Sequence, residues 1–474
     1  MHKPIILKDL TLELPHKICF ANFCAAIPCA SKIAVIGNNG SGKTTLLKTI
    51  NKMETLVEGS IIIPDGVVIS YVPQIVEDYA ALSGGERFNK ALSAALAANP
   101  DVLLLDEPTN HLDVRNRKSL MNMLGRYDNT LIIVSHDSEL LRQINTIWHI
   151  DNGQINIFSG NYDDYKREQY LKIAGLENKL TGFAKEKKLT HKKLMQAQQI
   201  AAKSRRSGEK KKAEGKWAPI VAGGKERAAQ VSAGKKFKDI GENKDGINEQ
   251  LRNLRMPEVI KPSFNLSYAP FPYSPLFISD GAVGYLPNIP ILTKINISIE
   301  PNSKIAITGA NASGKTTLLR AILGDPSVYK TGIWDIPKKE DIGYLDQHYN
   351  NLDYSKTVIG AISSLTPYWT RGEIRKHLND FLFRKNEEVD ADISSLSGGE
   401  RARLSLAAIA CKIPKLLLLD EITNNIDLQT REHIEQILRD YPGAMVVVSH
   451  DMDFLNNIGI ENRYLIDGTK ERKI

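Results

Sequence analysis

The sequence predicts an α/β fold class: two copies of one parallel-sheet domain in tandem, joined by a long basic α-helical hairpin. Three observations carry this. The first is an internal repeat. SKIAVIGNNGSGKTTLLKTI at 31–50 returns as SKIAITGANASGKTTLLRAI at 303–322, LSGGER at 82–87 returns at 396–401, VLLLDEPTNHLD at 102–113 returns as LLLLDEITNNID at 416–427, and IVSHD at 133–137 returns as VVSHD at 447–451. The second is that short apolar, β-rich runs alternate with helical patterns within each copy, the signature of a largely parallel sheet flanked by helices. The third is charge: residues 161–260 hold 24 Lys and Arg against 13 Asp and Glu, a surplus larger than the net +7 of the whole 474-residue chain.

The repeat sets expected domains at 1–165 and 263–474, with a linker at 166–262. In the first copy Lys32–Ile36, Val102–Leu105 and Leu131–Val134 read as buried strands, with Lys304–Thr308, Leu416–Leu419 and Met445–Val448 as their counterparts. In the linker, Ile173, Leu176, Leu180 and Phe183, then Leu194, Ala197 and Ala201, keep one 3–4 register, interrupted by the polar Lys187 and Thr190. Downstream, Ile240, Ile247, Leu251 and Leu254 keep a second register until Pro257 stops it. One apolar seam on each of two helices predicts an antiparallel hairpin. The first helix, from about Asp164 to Arg206, would span roughly 60 Å. Gly208, Gly215, Pro219 and Gly223–Gly224 read as the loop at its far end. Lys203–Lys238, with twelve basic residues against three glutamates around Trp217, then becomes mostly the tip of an arm. Such a cluster fits a polyanion, with phosphates for the lysines and base faces for the ring; a solvated spacer is the plainer alternative.

The four cysteines, Cys19, Cys24, Cys29 and Cys411, form no CxxC pair and read as free thiols of a reducing compartment. No stretch approaches the roughly eighteen apolar residues of a membrane span, and the N-terminal apolar run is too short for a secretory leader. A cytoplasmic protein without membrane contact is expected.

Two segments fit G-x-x-x-x-G-K-[ST] between a strand and a helix. One comprises Gly37, Asn38, Asn39, Gly40, Ser41, Gly42, Lys43 and Thr44, followed by Thr45. The other comprises Gly309, Ala310, Asn311, Ala312, Ser313, Gly314, Lys315 and Thr316, followed by Thr317. The glycines let backbone N–H groups turn inward around a triphosphate at a helix N-terminus, which points to ATP. Lys43 and Lys315 would reach its outer phosphates, and Thr44 and Thr316 would ligate Mg²⁺. Asp106 and Asp420, at strand ends, would hold the same ion, while Glu107 and Glu421 would polarise the attacking water. His136 and His450 are placed to contact the terminal phosphate. Gln74 and Gln347 are placed to sense metal and water. Ser83, Gly84 and Gly85, like Ser397, Gly398 and Gly399, read as a second phosphate clamp at a helix N-terminus. One copy already owns a phosphate loop, so this clamp must serve another nucleotide.

Phosphate loop, glutamine, LSGGE, DE-x-TN-x-x-D and SHD in this order resemble the ATP-binding cassette ATPases. The fused pair without membrane spans, with a charged helical linker, is most similar to the ABC-F subfamily. That resemblance implies two cassettes packed head to tail, each ATP lying between one phosphate loop and the opposite LSGGE. Site one would join Gly37–Thr44, Gln74, Asp106, Glu107 and His136 to Ser397–Gly399. Site two would join Gly309–Thr316, Gln347, Asp420, Glu421 and His450 to Ser83–Gly85. It further implies a monomeric ATPase acting on the ribosome, its linker reaching rRNA and tRNA, as translation factor or antibiotic-resistance protein; the sequence does not choose between these. A transporter's ATPase pair and a DNA-repair or chromosome ATPase are the alternatives. The fused pair with a basic arm disfavours the first, and the lack of zinc modules or very long coiled coils disfavours the second. Three departures predict unequal sites. Eight residues separate Gln74 from Ser83 against forty-nine between Gln347 and Ser397, so the first cassette has a shortened helical subdomain. Tyr285, able to stack on adenine, matches Glu13. Ile422 and Asn425 stand for the first copy's Pro108 and His111.

Overall fold

The computed structural model describes residues 2–14, 17–53, 57–75, 84–110, 112–213, 238, 241–242, 246, 248–249, 275–287, 289–346, 349, 351–412, 414–423, 426–467 and 470–473. Two compact units result: Met1–Asp163 with Val259–Ile474, and Asp164–Glu258.

The first copy contains strands β1 (Ile5–Leu14), β2 (Lys17–Ile27), β3 (Lys32–Gly37), β4 (Val57–Ile62), β5 (Ile69–Val72), β6 (Val102–Asp106), β7 (Thr130–Val134), β8 (Thr146–Asp151) and β9 (Gln154–Ser159). Its helices are α1 (Lys43–Ile50), α2 (Gly84–Ala97), α3 (Val114–Gly125) and α4 (Ser138–Leu141). Among the described residues β5-β6-β7-β3-β8-β9 form one sheet, parallel except at β9, and β2-β1-β4 an antiparallel one. The apolar runs read from the sequence are its buried centre. Every residue of β6 and β7 is buried, as continuous β-branched and leucine runs require when helices cover both faces.

Helix α5 (Tyr162–Ala213) follows. Its 52 residues span about 78 Å. It outruns the expected end at Arg206 because Gly208, expected in the tip loop, lies within the helix. Along it Ile173, Leu176, Leu180, Phe183, Leu194, Ala197 and Ala201 are half-buried, the stripe that the 3–4 spacing predicts, and Thr190 joins them while Lys187 is exposed. The second seam (Ile240, Ile247, Leu251, Leu254), the remaining loop positions and Trp217 lie outside the described residues.

The second copy repeats the first. It has β10 (Leu276–Gly284), β11 (Leu292–Ile299), β12 (Lys304–Gly309), β13 (Tyr329–Asp335), β14 (Ile342–Leu345), β15 (Leu416–Asp420), β16 (Ala444–Val448), β17 (Asn462–Asp467) and β18 (Lys470–Lys473). Its helices are α6 (Lys315–Ile322), α7 (Val358–Leu365), α8 (Arg371–Asp380), α9 (Asn386–Val389), α10 (Gly398–Cys411), α11 (Leu428–Arg439) and α12 (Met452–Asn457). The order β14-β15-β16-β12-β17-β18 matches the first copy strand for strand, and β11-β10-β13 joins it through Thr293 beside Lys470. Between β14 and α10 lie α7, α8 and α9; their Ile362 and Leu378, with Phe381 and Phe383 just after α8, are buried in one cluster with the sheet. In the first copy the described chain passes from β5 to α2 with no helix between them.

Candidate functional site

Each phosphate loop leaves a buried central strand and turns straight into a helix. Gly37 and Gly309 make that turn at φ 152° and 155°, in backbone that disfavours side chains. A Cβ at Gly37 would lie 2.7 Å from the Ile150 carbonyl oxygen, and one at Gly309 would lie 2.5 Å from that of Ile466. Lys43 Nζ donates to the carbonyls of Gly37 (2.8 Å) and Asn38 (3.0 Å), and Lys315 Nζ to those of Gly309 (3.0 Å) and Ala310 (2.9 Å). The two lysines thus sit folded over their own loops, each a buried cation held by carbonyl oxygens where phosphate oxygens could substitute.

Beneath each loop stands an aspartate. Tyr71 donates to Asp106 Oδ2 at 3.3 Å, and burial pushes the Asp106 carboxyl up while the Thr44 hydroxyl bond opposes it. Asp420 is raised likewise by burial, opposed first by Thr316. Asp106 Oδ1, Ser41 Oγ and Ser313 Oγ are buried with no hydrogen-bond partner. A threonine hydroxyl against an aspartate with an orphaned oxygen is the hard-oxygen donor set that Mg²⁺ takes, so these residues fit that ion.

Glu107 and Glu421 follow with φ of 47° and 49°, a left-handed backbone unusual outside glycine. The strain is held by backbone bonds, Glu107 N–H to Val134 O at 2.8 Å and Glu421 N–H to Val448 O at 2.9 Å. Glu107 Oε1 lies 3.2 Å from His136 Nε2, and Glu421 Oε1 lies 3.4 Å from His450 Nε2. Burial pushes the Glu107 carboxyl well above its ordinary value and the His136 imidazole well below its own, Lys43 adding to the latter. Both glutamates and both histidines line one cavity, together with Asp137 and Asp451.

A second cavity joins the copies differently. Lys315, Thr316, Tyr285, Asp420 and Glu421 line it from the second copy, and Gly84 from the first. Gly84 and Gly85 open α2, as Gly398 and Gly399 open α10. Ser397 caps α10 in a capping box with Glu400. Tyr285 is exposed, its hydroxyl 3.4 Å from Thr317 Oγ1, while Glu13 in the first copy is exposed at a strand end. Gln74 is exposed just after β5. Ser83, His111, Gln347 and Asn425 lie outside the described residues.

Sequence reasoning missed Arg117 and Arg431. Arg117 pairs with Asp137 at 2.7 Å, and Arg431 with Asp451 at 2.6 Å. The two aspartates also cap α4 and α12. Their signal was available: both arginines stand four residues after the repeated Asp113 and Asp427, and both aspartates end the repeated SHD.

A family model described as "ABC transporter" matches residues 21–75 and 292–424, and one described as an AAA domain matches 77–142. The ATP-binding protein Uup of Haemophilus influenzae is 32% identical over 82% of this chain, and the chain spans about half, 55%, of that protein. Uup of Buchnera aphidicola subsp. Acyrthosiphon pisum is 30% identical, covering 90% of this chain and 74% of its own length. The ribosome protection protein VmlR of Bacillus subtilis is 28% identical over 96% of this chain and 85% of itself. Among solved structures, the archaeal ribosome recycling factor aABCE1, in complex with the stalk protein aP1, superposes with a TM-score of 0.63 at 16% identity, covering 98% of this chain and 89% of its own, a likeness of fold. No helix among the described residues is long and apolar enough to cross a membrane. With the motifs repeated in order and placed on matching strands and helices of two cassettes, the chain belongs to the ABC-F subfamily of ATP-binding cassette ATPases.

Proposed function

We propose that this chain hydrolyses ATP at two composite sites and acts on the ribosome through its basic linker. The domain limits are 1–165, 166–262 and 263–474. The carrying observation is the cavity in which Lys315, Thr316, Asp420 and Glu421 face Gly84 of the other cassette. Site two then joins Gly309–Thr316, Gln347, Asp420, Glu421 and His450 to Ser83–Gly85. Its pseudo-symmetric partner joins Gly37–Thr44, Gln74, Asp106, Glu107 and His136 to Ser397–Gly399. Lys43 and Lys315 exchange loop carbonyls for phosphate oxygens. Mg²⁺, held by Thr44 with Asp106 and by Thr316 with Asp420, would supply countercharge to the phosphates. Glu107 and Glu421 accept a proton from the attacking water, and His136 and His450 hold the terminal phosphate. Tyr285 stacks on the adenine of the second site.

Changing both Glu107 and Glu421 to Gln keeps ATP binding and lowers turnover by about a hundredfold or more, because binding uses the loop while turnover needs the water polarised. The two single variants differ in residual rate. Turnover of the double variant within about threefold of the parent sinks the assignment.

The ribosomal reading rests on the basic linker and on the relative named for ribosome protection. The protein is a cytoplasmic monomer in this reading, contacting rRNA and tRNA as translation factor or resistance protein. Neutralising Lys210, Lys211 and Lys212 together should weaken co-sedimentation with ribosomes. Each lost phosphate contact should make the slope of log K against log salt shallower by about 0.7–0.9. Parental affinity and slope in that variant would leave the linker a spacer.

A further inference from the structure

Among the described residues, three first-cassette side chains donate hydrogen bonds across to the second cassette near the sites. Arg117, buried and paired with Asp137, extends its other terminal nitrogen across the interface to the His450 carbonyl at 3.0 Å. Ser138 and Arg142 of the first cassette both donate to Asp453 Oδ2, at 2.6 and 2.7 Å. Three side chains of the first cassette therefore grip the 450–453 segment, which carries the histidine of the second site.

The pseudo-symmetric positions carry different residues with different bonds. Arg431, the counterpart of Arg117, is buried between Glu435 at 2.8 Å and Asp451 at 2.6 Å, both in its own cassette. The position matching Glu435 in the first copy is Met121, which leaves Arg117 an arm to extend. Met452 stands where Ser138 stands, a thioether for a hydroxyl. Asn456 replaces Arg142, and its side chain accepts from Arg463 at 2.7 Å. Glu139, matching Asp453, is engaged by Arg117 at 3.2 Å.

We propose that the first cassette carries a latch for the second: Arg117, Ser138 and Arg142 position the His450–Asp453 segment, so that turnover at the Glu421 site is gated from the first cassette without equivalent gating in return. These are positioning residues, acting through the backbone and flank of His450. The inference rests on the two-site reading above.

The test uses the full chain in two backgrounds, Glu107→Gln, where the second site turns over, and Glu421→Gln, where the first does. In the first background Arg142→Gln and Asp453→Asn should each slow ATP turnover about two- to fivefold, a modest effect because both side chains are partly exposed. KM should stay within about twofold, and the double variant should be no slower than Asp453→Asn alone, since that change already removes the pair with Arg142. In the second background the same changes should leave turnover within about twofold. Additive effects, or equal effects in both backgrounds, overturn the latch. If neither background hydrolyses ATP, the two-site reading fails, and the latch is judged by hydrogen exchange alone. Arg142→Gln should speed amide exchange in 450–457, though the change lies in the other cassette. Unchanged exchange there overturns it.

Discussion

The two cassettes keep the same six central strands and the same loop backbone, yet differ in what surrounds them. The second places α7–α9 between β14 and α10 and buries Phe381, Phe383 and Leu378 there; in the first, Val72 at the end of β5 and Gly84 at the start of α2 are only twelve positions apart. What is retained is local geometry: left-handed Glu107 and Glu421, and lysines folded over their loops. What diverges is support, and support can be probed.

The largest expected difference concerns the helical subdomain. Phe383→Ala removes a fully buried ring and should cost about 3–5 kcal/mol. Calorimetry should show the loss in a transition assigned to the second cassette, while nucleotide binding by the first persists. A uniform shift of the whole unfolding profile would show that the cassettes share one cooperative core.

A smaller difference lies in the glutamates, measured without nucleotide or metal. Burial raises the Glu107 carboxyl above its ordinary 4.5, so the fold binds that proton more tightly than the unfolded chain. The site therefore costs no stability below about pH 4.5 and costs progressively more as pH rises through the raised value. Glu107→Gln should leave Tm unchanged at low pH and raise it at pH 8, by about 2–4 °C for each kcal/mol relieved. Glu421→Gln should gain less, because its side chain is 28% exposed against 8% for Glu107. Equal gains, or a gain largest in acid, would contradict burial as the cause.

The smallest difference sits inside the loops. Gly40 takes φ 70° and its counterpart Ala312 takes φ 60°, where a Cβ is disfavoured. Ala312→Gly should change stability by less than about 1 kcal/mol, relief of strain being offset by a freer unfolded chain, whereas Gly40→Ala should destabilise by about 1 kcal/mol. Chemical denaturation resolves the pair.

The sheet was legible because its strands are continuous apolar runs, and each expected core strand lies within one residue of the observed one. The placement of the loops on strand-to-helix turns, and of Asp106, Asp420, Glu107 and Glu421 at strand ends, was legible because the motifs fix local spacing. The arm's stripe followed from periodicity, but its end did not, since a glycine such as Gly208 lowers helix propensity without forbidding the helix. Arg117 and its grip on His450 were not legible, because they join residues 333 apart and depend on how two cassettes pack. The left-handed glutamates likewise come from strand ends held by tertiary hydrogen bonds, which no local pattern records.

The grip also bears on duplication. A twofold dimer of identical chains must repeat each contact in both directions. Two copies of the first cassette would set Arg142 and Ser138 against Glu139, a longer carboxylate already held by Arg117. Two copies of the second would bring Asp453 against Met452 and Asn456, an anion without a cationic partner. Neither half paired with itself rebuilds the arrangement, so the halves are no longer interchangeable parts. Within one chain each half can carry its own side of the contact, and pairing either half with its own twin would discard it.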